Sequence, residues 1–291
     1  MAHAAVRTRL AALGIPAAGA IIERARPMSP AVSLSDRIRP LTGGTRIFPA
    51  YEGQNINSFC TYNVNVLYGG VRHMVVNSHC TQPGLGGYVG AHIHQHELGP
   101  WWDRDAHKIG VEEQDPAFTT DKWGCPSGYL CRYSDAALVR ITTGDNWNHG
   151  GIARPVERVT LPTISGSKTI DPASPSFQLA GILSELLAGD VVEKVGARTG
   201  WTGGVVESTC RTVTMVEDGT AYAVLCSGVV DAGGGGGDSG APVFWRSPQG
   251  GDYLVGILYA VARHPGSDFG SEYAFSNWSY VDYELGSPTA D

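Results

Sequence analysis

Apolar and polar residues alternate in short runs along most of this chain. Tyr62, Val64, Val66 and Tyr68 take every second position, the period of a half-buried strand. Gly69-Gly70 supplies a tight turn, and Val71 to Val76 returns as a second strand ending near His79. Similar runs predict strands over Gly87 to His96, Ala136 to Ile141, Gly204 to Val216, Ala221 to Val230, Ala241 to Trp245 and Tyr253 to Val261. Helical periodicity is scarce. Val6 to Leu13 suits a short helix ended by Gly14, after which Ile21-Ile22 begins a candidate strand. Ser276 to Leu285 suits a terminal helix with Ser276 as its cap. A connector rich in proline (Pro155, Pro162, Pro172, Pro175) runs from about Thr142 to Phe177.

Composition agrees with an all-β chain. There are 39 glycines in 291 residues, and they fall between short β-branched runs. At 42% hydrophobic the chain can bury one large or two small cores. Residues 1–40 differ, being rich in Ala and Arg and free of cysteine; they form an N-terminal arm or the remnant of a longer leader segment. A first β-unit then spans 41–150, and 151–291 holds the connector, a second β-unit and the terminal helix. The net charge of -7 argues against nucleic acid or an anionic membrane as partner, and a monomer is expected. The longest apolar stretch, Ala11 to Ile22, is too short and too interrupted to span a membrane. Arg24 and Arg26 also make it a poor secretion signal.

The six cysteines, Cys60, Cys80, Cys125, Cys131, Cys210 and Cys226, allow fifteen pairings. Near-neighbour pairing is the simplest, with Cys210 and Cys226 flanking a hairpin that turns near Asp218-Gly219. No Cys-x-x-Cys occurs, which disfavours zinc. Three disulfides and a secreted, extracellular protein are expected.

The candidate chemistry starts at Gly237-Asp238-Ser239-Gly240-Ala241-Pro242. A serine between glycines suits a nucleophile on a tight turn. The N–H groups of Gly237 and Ser239 are spaced to receive the oxygen of a reacting carbonyl. A serine hydroxyl needs a base. His79 ends one apolar run and is a candidate for that base. Asp135 begins another run and is a candidate to orient it.

These three stretches, in this order, resemble the chymotrypsin-like serine proteases, and most nearly the secreted bacterial streptogrisin and α-lytic protease branch. The resemblance spans roughly Leu41 to Gly286. It implies two antiparallel six-stranded β-barrels with the active-site cleft between them and a C-terminal helix. It implies a serine endopeptidase acting on polypeptide through an acyl-enzyme, with no cofactor and no metal. Residues 1–40 would then be an arm or the tail of a pro-region. The Cys60–Cys80 pair matches the family's disulfide beside the histidine. The stretch Val195 to Trp201 looks like that branch's arginine segment, which assigns Arg198 as the ion-pair partner of Asp238. Activation would then mean removal of an inhibitory segment rather than insertion of a new N-terminus.

Pocket residues carry over less well. Gly233 stands six positions before Ser239, where trypsin-like enzymes carry an aspartate, so a preference for basic side chains is not expected. Tyr259 and Val261 replace a small serine and a glycine of the family's substrate-lining segment. The added bulk suggests a pocket for small apolar side chains. It also leaves two alternatives open: a binding module of the same fold with lost or weak turnover, and a serine esterase. A separate feature is His92, His94 and His96 followed by Glu97. At positions i, i+2 and i+4 they share one strand face, and a wet face is expected rather than a metal site. Asn277-Trp278-Ser279 matches a glycosylation sequon within the terminal helix.

Overall fold

The computed structural model describes residues 2–16, 31–50, 58–81, 86–95, 104–144, 146–217 and 219–290. Two compact units divide the chain, Met1–Ala31 and Val32–Asp291. The first contains a helix at Ala2–Ala12, longer than the predicted one and ending where Gly14 adopts positive φ. The candidate strand at Ile21-Ile22 lies outside the described residues.

The second unit is built on two rings of strands. In the first ring, Arg46–Ala50 pairs with His92–His94, which pairs with Lys108–Gln114, then Ala137–Ile141, Val71–Val76 and Asn65–Tyr68, all antiparallel. One bent run closes the circuit. Its start, Cys60–Thr61, pairs with Arg46–Ala50, and Asn63 and Val64 exchange backbone bonds with Val75. Ile47, Tyr62, Met74, Val76, Ile93, Ile109 and Val139 fill this ring, the inward members of alternating strands.

The second ring closes outright. Val191–Gly196, Gly200–Glu217, Thr220–Asp231, Phe269–Asn277, Asp252–Arg263 and Pro242–Arg246 pair in that order and return to Val191–Gly196. Val192, Val206, Val230, Val243, Leu258 and Phe275 are among its core. Closure removes exposed sheet edges. A third cluster joins the rings, with Val64, Val75, Leu138, Phe244 and Ile257 packed against Trp278, Val281 and Leu285 of the helix Trp278–Leu285.

Several expectations shift. The strand predicted over Gly87 to His96 is only His92–His94. The connector contains strands at Trp147–Ala153 and Arg158–Val159, both paired to the second sheet. Phe269–Asn277 was not predicted, because Gly270, Ser271 and Glu272 break its apolar pattern. The terminal helix begins at Trp278 with Asn277 as N-cap and no side-chain cap bond, so Ser276 is not its cap. Ser276 is buried in the preceding strand instead. The three disulfides are Cys60–Cys80, Cys125–Cys131 and Cys210–Cys226, and the last ties the two strands of the long hairpin.

Candidate active site

His79 sits in a short helical turn, Ser78–Thr81, just beyond Val71–Val76. Asp135 lies two residues before Ala137–Ile141, the neighbouring strand. Adjacent antiparallel strands therefore deliver both side chains to one end of the ring. His79 Nδ1 lies 2.5 Å from Asp135 Oδ2, and the His79 N–H donates to Asp135 Oδ1 at 3.1 Å. Asp135 is fully buried, while the His79 side chain keeps 28% of its surface. Burial alone would raise the Asp135 carboxyl. The His79 charge, its two hydrogen bonds and the Arg132 charge outweigh burial and hold the carboxyl below the ordinary value. The Asp135 backbone is fixed as well. Its N–H donates to Ser276 Oγ at 3.0 Å, and its carbonyl accepts from Asn77 Nδ2 at 2.5 Å. Ser276, misread as a helix cap, therefore belongs to this site.

Ser239 comes from the second ring, on the turn before Pro242–Arg246. First-ring residues clamp that turn. Thr61 N–H donates to Ser239 O at 2.7 Å, Thr61 Oγ1 to Gly237 O at 2.8 Å, and Asn63 Nδ2 to Gly240 O at 3.0 Å. Two glycines are required here. Gly237 has φ +101 and faces the Phe59 ring, and Gly240 has φ +93 and faces the Thr61 carbonyl; a Cβ at either would collide. Among the described residues, neither the Gly237 N–H nor the Ser239 N–H donates to a protein acceptor. The Cys80 sulfur lies 3.9 Å from His79 Nε2 and 4.0 Å from the Ser239 carbonyl oxygen, so histidine and serine turn flank one disulfide.

Asp238 is held differently from expectation. Lys194 Nζ donates to its Oδ2 at 2.9 Å, both side chains being fully buried. Thr199 Oγ1 and the N–H groups of Gly235, Arg198 and Thr199 complete the set. Arg198 thus contributes its backbone, not its guanidinium, which reaches half-exposed toward Asp268 and over the Phe269 ring. Both carboxylate oxygens are already taken, Oδ1 by two backbone N–H groups and Oδ2 by Lys194, Thr199 Oγ1 and the Gly235 N–H, and Gly196 packs directly on Oδ1. Burial pushes the Lys194 ammonium down and the Asp238 charge opposes the shift. The local sequence around Lys194 carries no signal for this role.

A groove of about 560 Å³ opens beside His79, lined by Val213, Tyr259, Val261 and Tyr273 with Arg211 and Glu272. Gly233 does not line it. Gly233 packs against the Ile164 backbone, and its carbonyl accepts from Thr202 Oγ1 at 2.8 Å. Tyr259 is buried, and its hydroxyl lies 2.7 Å from Ser227 Oγ. A Cβ placed on Gly234 would sit 3.0 Å from Val261 Cγ2, so the valine occupies the space over that glycine.

The other candidates fall away from the site. His92 is half-buried, His94 is buried, and His96 and Glu97 lie outside the described residues. Among the described residues, the one His/Cys/Asp/Glu group close enough to hold a metal is Cys60, His79 and Cys80, and the Cys60–Cys80 disulfide takes up both sulfurs. Asn277 Nδ2 donates to Thr209 O and Cys226 O, so the sequon's amide is already engaged. Asp218 of the predicted hairpin turn is outside the described residues, while Gly219 has φ +78.

Two closed rings, a histidine and aspartate from one, and a serine turn from the other find close parallels among solved structures. This is the chymotrypsin-like fold. A structure titled as a glutamic-acid-specific serine protease that uses a histidine triad in substrate binding matches with a TM-score of 0.52 and 20% identity, over 86% of this chain and 99% of that one. Nocardiopsis protease matches with a TM-score of 0.54 and 16% identity, over 84% and 96%. An α-lytic protease homolog, N4, matches with a TM-score of 0.54 and 17% identity, over 86% and 99%. No family model matches the chain, and no curated protein matches it in sequence. The chymotrypsin-like fold therefore rests here on three-dimensional similarity, in the form found in bacterial serine proteases. Among the described residues no helix is long and apolar enough to cross a membrane.

Proposed function

We propose that the chain is a serine endopeptidase. Ser239 Oγ attacks the scissile carbonyl carbon while His79 Nε2 takes the hydroxyl proton. The oxyanion rests on the N–H groups of Gly237 and Ser239. The C–N bond then breaks, His79 returns its proton to the leaving amine, and water releases the acyl group by the same route in reverse. Asp135 keeps Nδ1 protonated and stabilises the imidazolium. The observation that carries this reading is the 2.5 Å contact between His79 Nδ1 and the buried Asp135 carboxylate, which leaves Nε2 as the ring nitrogen available to serve as base.

The Lys194–Asp238 pair supports an oxyanion turn shaped without a newly cut N-terminus. Residues 1–40 are then an arm or pro-segment to be trimmed. Three disulfides favour an oxidising, extracellular setting, and a monomer acting on polypeptide is the form proposed. Val261 over Gly234 favours small apolar side chains at the cleaved position.

The test is turnover of a denatured protein substrate and a peptide library by wild type, Ser239→Ala and Val261→Gly. Wild type should cleave after small residues, and Ser239→Ala should lose about 10⁶-fold in kcat. Val261→Gly should admit larger side chains by roughly 10–200-fold. A folded, trimmed wild type that cleaves simple esters but no peptide would favour the esterase alternative. One that cleaves neither would favour the binding module.

A further inference from the structure

We propose that Arg132, bridged to Asp115 and Glu284, is a positioning residue for the His79–Asp135 pair. This rests on the peptidase reading above. Arg132 stands three residues before Asp135 and is fully buried. Its Nη2 donates to the carbonyl of Ala136 at 2.7 Å, the residue directly after Asp135. Its Nη1 donates to Asp115 Oδ1 at 2.9 Å and to Pro116 O at 2.7 Å. Its Nε reaches Glu284 Oε2 at 3.3 Å, and the Phe118 ring lies 5.2 Å from the guanidinium carbon.

The two carboxylates extend the reach of the guanidinium. Asp115 Oδ2 accepts from Ser78 Oγ at 2.9 Å, on the residue directly before His79. Glu284, on the terminal helix, accepts from the N–H groups of Tyr133 and Ser134 at 3.0 Å each and from Ser134 Oγ at 2.6 Å. One buried cation therefore holds the carbonyl after Asp135 and, through Asp115, the residue before His79. Both Asp135 oxygens are engaged by His79, so the carboxylate's remaining electrostatic support comes from this nearby charge. The ionisable groups around it are His79, Asp135, Asp115, Arg132, Glu284 and Tyr259, whose hydroxyl is bonded to Ser227. Folding alone gives little reason for three buried charges where apolar side chains pack as well.

Removing the positive charge makes the His79 imidazolium easier to form, and removing a negative one makes it harder. The acid limb of the kcat/KM profile reads this directly. Arg132→Met should move the limb to higher pH and lower kcat by about 10²-fold with KM little changed. Arg132→Lys should restore the limb and only part of kcat, because one ammonium cannot reach all four acceptors. Glu284→Gln should move the limb the opposite way, to lower pH; if Arg132→Met does not fold, this variant decides. Folded, active variants whose acid limb stays at the wild-type position overturn this proposal alone. A wild type with no turnover overturns the peptidase reading and this proposal with it.

Discussion

The two rings anchor their share of the site by different means. In the second ring a single buried pair, Lys194–Asp238, lies beneath the serine turn, and its partners come from a tight hairpin at residues 194–199 and the turn itself. Beside the first ring's share one guanidinium, Arg132, is divided between Asp115 and Glu284 and two carbonyls, with partners from the adjacent Ala136 and from two distant stretches, 115–116 and the terminal helix. The second ring's arrangement fixes the backbone turn that carries Ser239. The first fixes the relative placement of two side chains. One carboxylate gathers five donors under the turn, whereas one guanidinium is spread over segments on both sides of the His79–Asp135 pair.

The comparison makes Lys194 the more concentrated liability. Lys194→Met leaves Asp238 charged and buried, and should cost ~3–5 kcal/mol of stability. Arg198→Ala removes a half-exposed contact and should cost no more than ~1 kcal/mol. Urea unfolding of both variants checks this, and equal losses would restore Arg198 as the partner. Next in size is the clamp between the rings. Thr61→Val removes the donor to Gly237 O and the acceptor of Ala197 N–H; it should cost about 1–3 kcal/mol and slow turnover more than it raises KM. Steady-state kinetics with thermal melts separates the two effects.

Smaller effects are expected around the His79–Asp135 pair, where bonds are shared. Ser276→Ala leaves the Asp135 N–H without its acceptor and should cost about 1 kcal/mol, with a modest fall in kcat. Burial pushes the Asp115 carboxyl up to about 6 from 3.8, against the lowering effect of Arg132 and Ser78. The folded protein therefore binds this proton more tightly than the unfolded chain. The stability it brings is present below about pH 4 and is lost as pH rises through about 6. Asp115→Asn should compare better with wild type near about pH 8 than near about pH 5. Parallel melting curves at the two values show it, and a constant difference would count against the assignment.

The serine turn and the histidine were legible in the sequence because their signals are local. Glycines flank Ser239, and an apolar run leads to His79 and its cysteine. Strands such as Val71–Val76 matched their predicted bounds because alternation and the Gly-Gly turn coincide. What stayed hidden depends on tertiary approach. Lys194 meets Asp238 only when the second ring closes, and Glu284 meets Arg132 only when the terminal helix docks. Thr61 and Asn63 look like ordinary strand residues until the serine turn rests on them. Ser276 shows how a local signal misleads. A serine before a helical pattern looks like a cap, yet the strand runs one residue further and its hydroxyl faces Asp135.

His79, Asp135, Ser239 and the amides of Gly237 and Ser239 are expected to work as one site. Covalent labelling by a fluorophosphonate probe, read by intact mass on wild type and Ser239→Ala, tests it most directly. One probe per wild-type chain and none on the variant is the predicted result. No labelling of a folded wild type, even after residues 1–40 are trimmed, or equal labelling of both proteins, would contradict it.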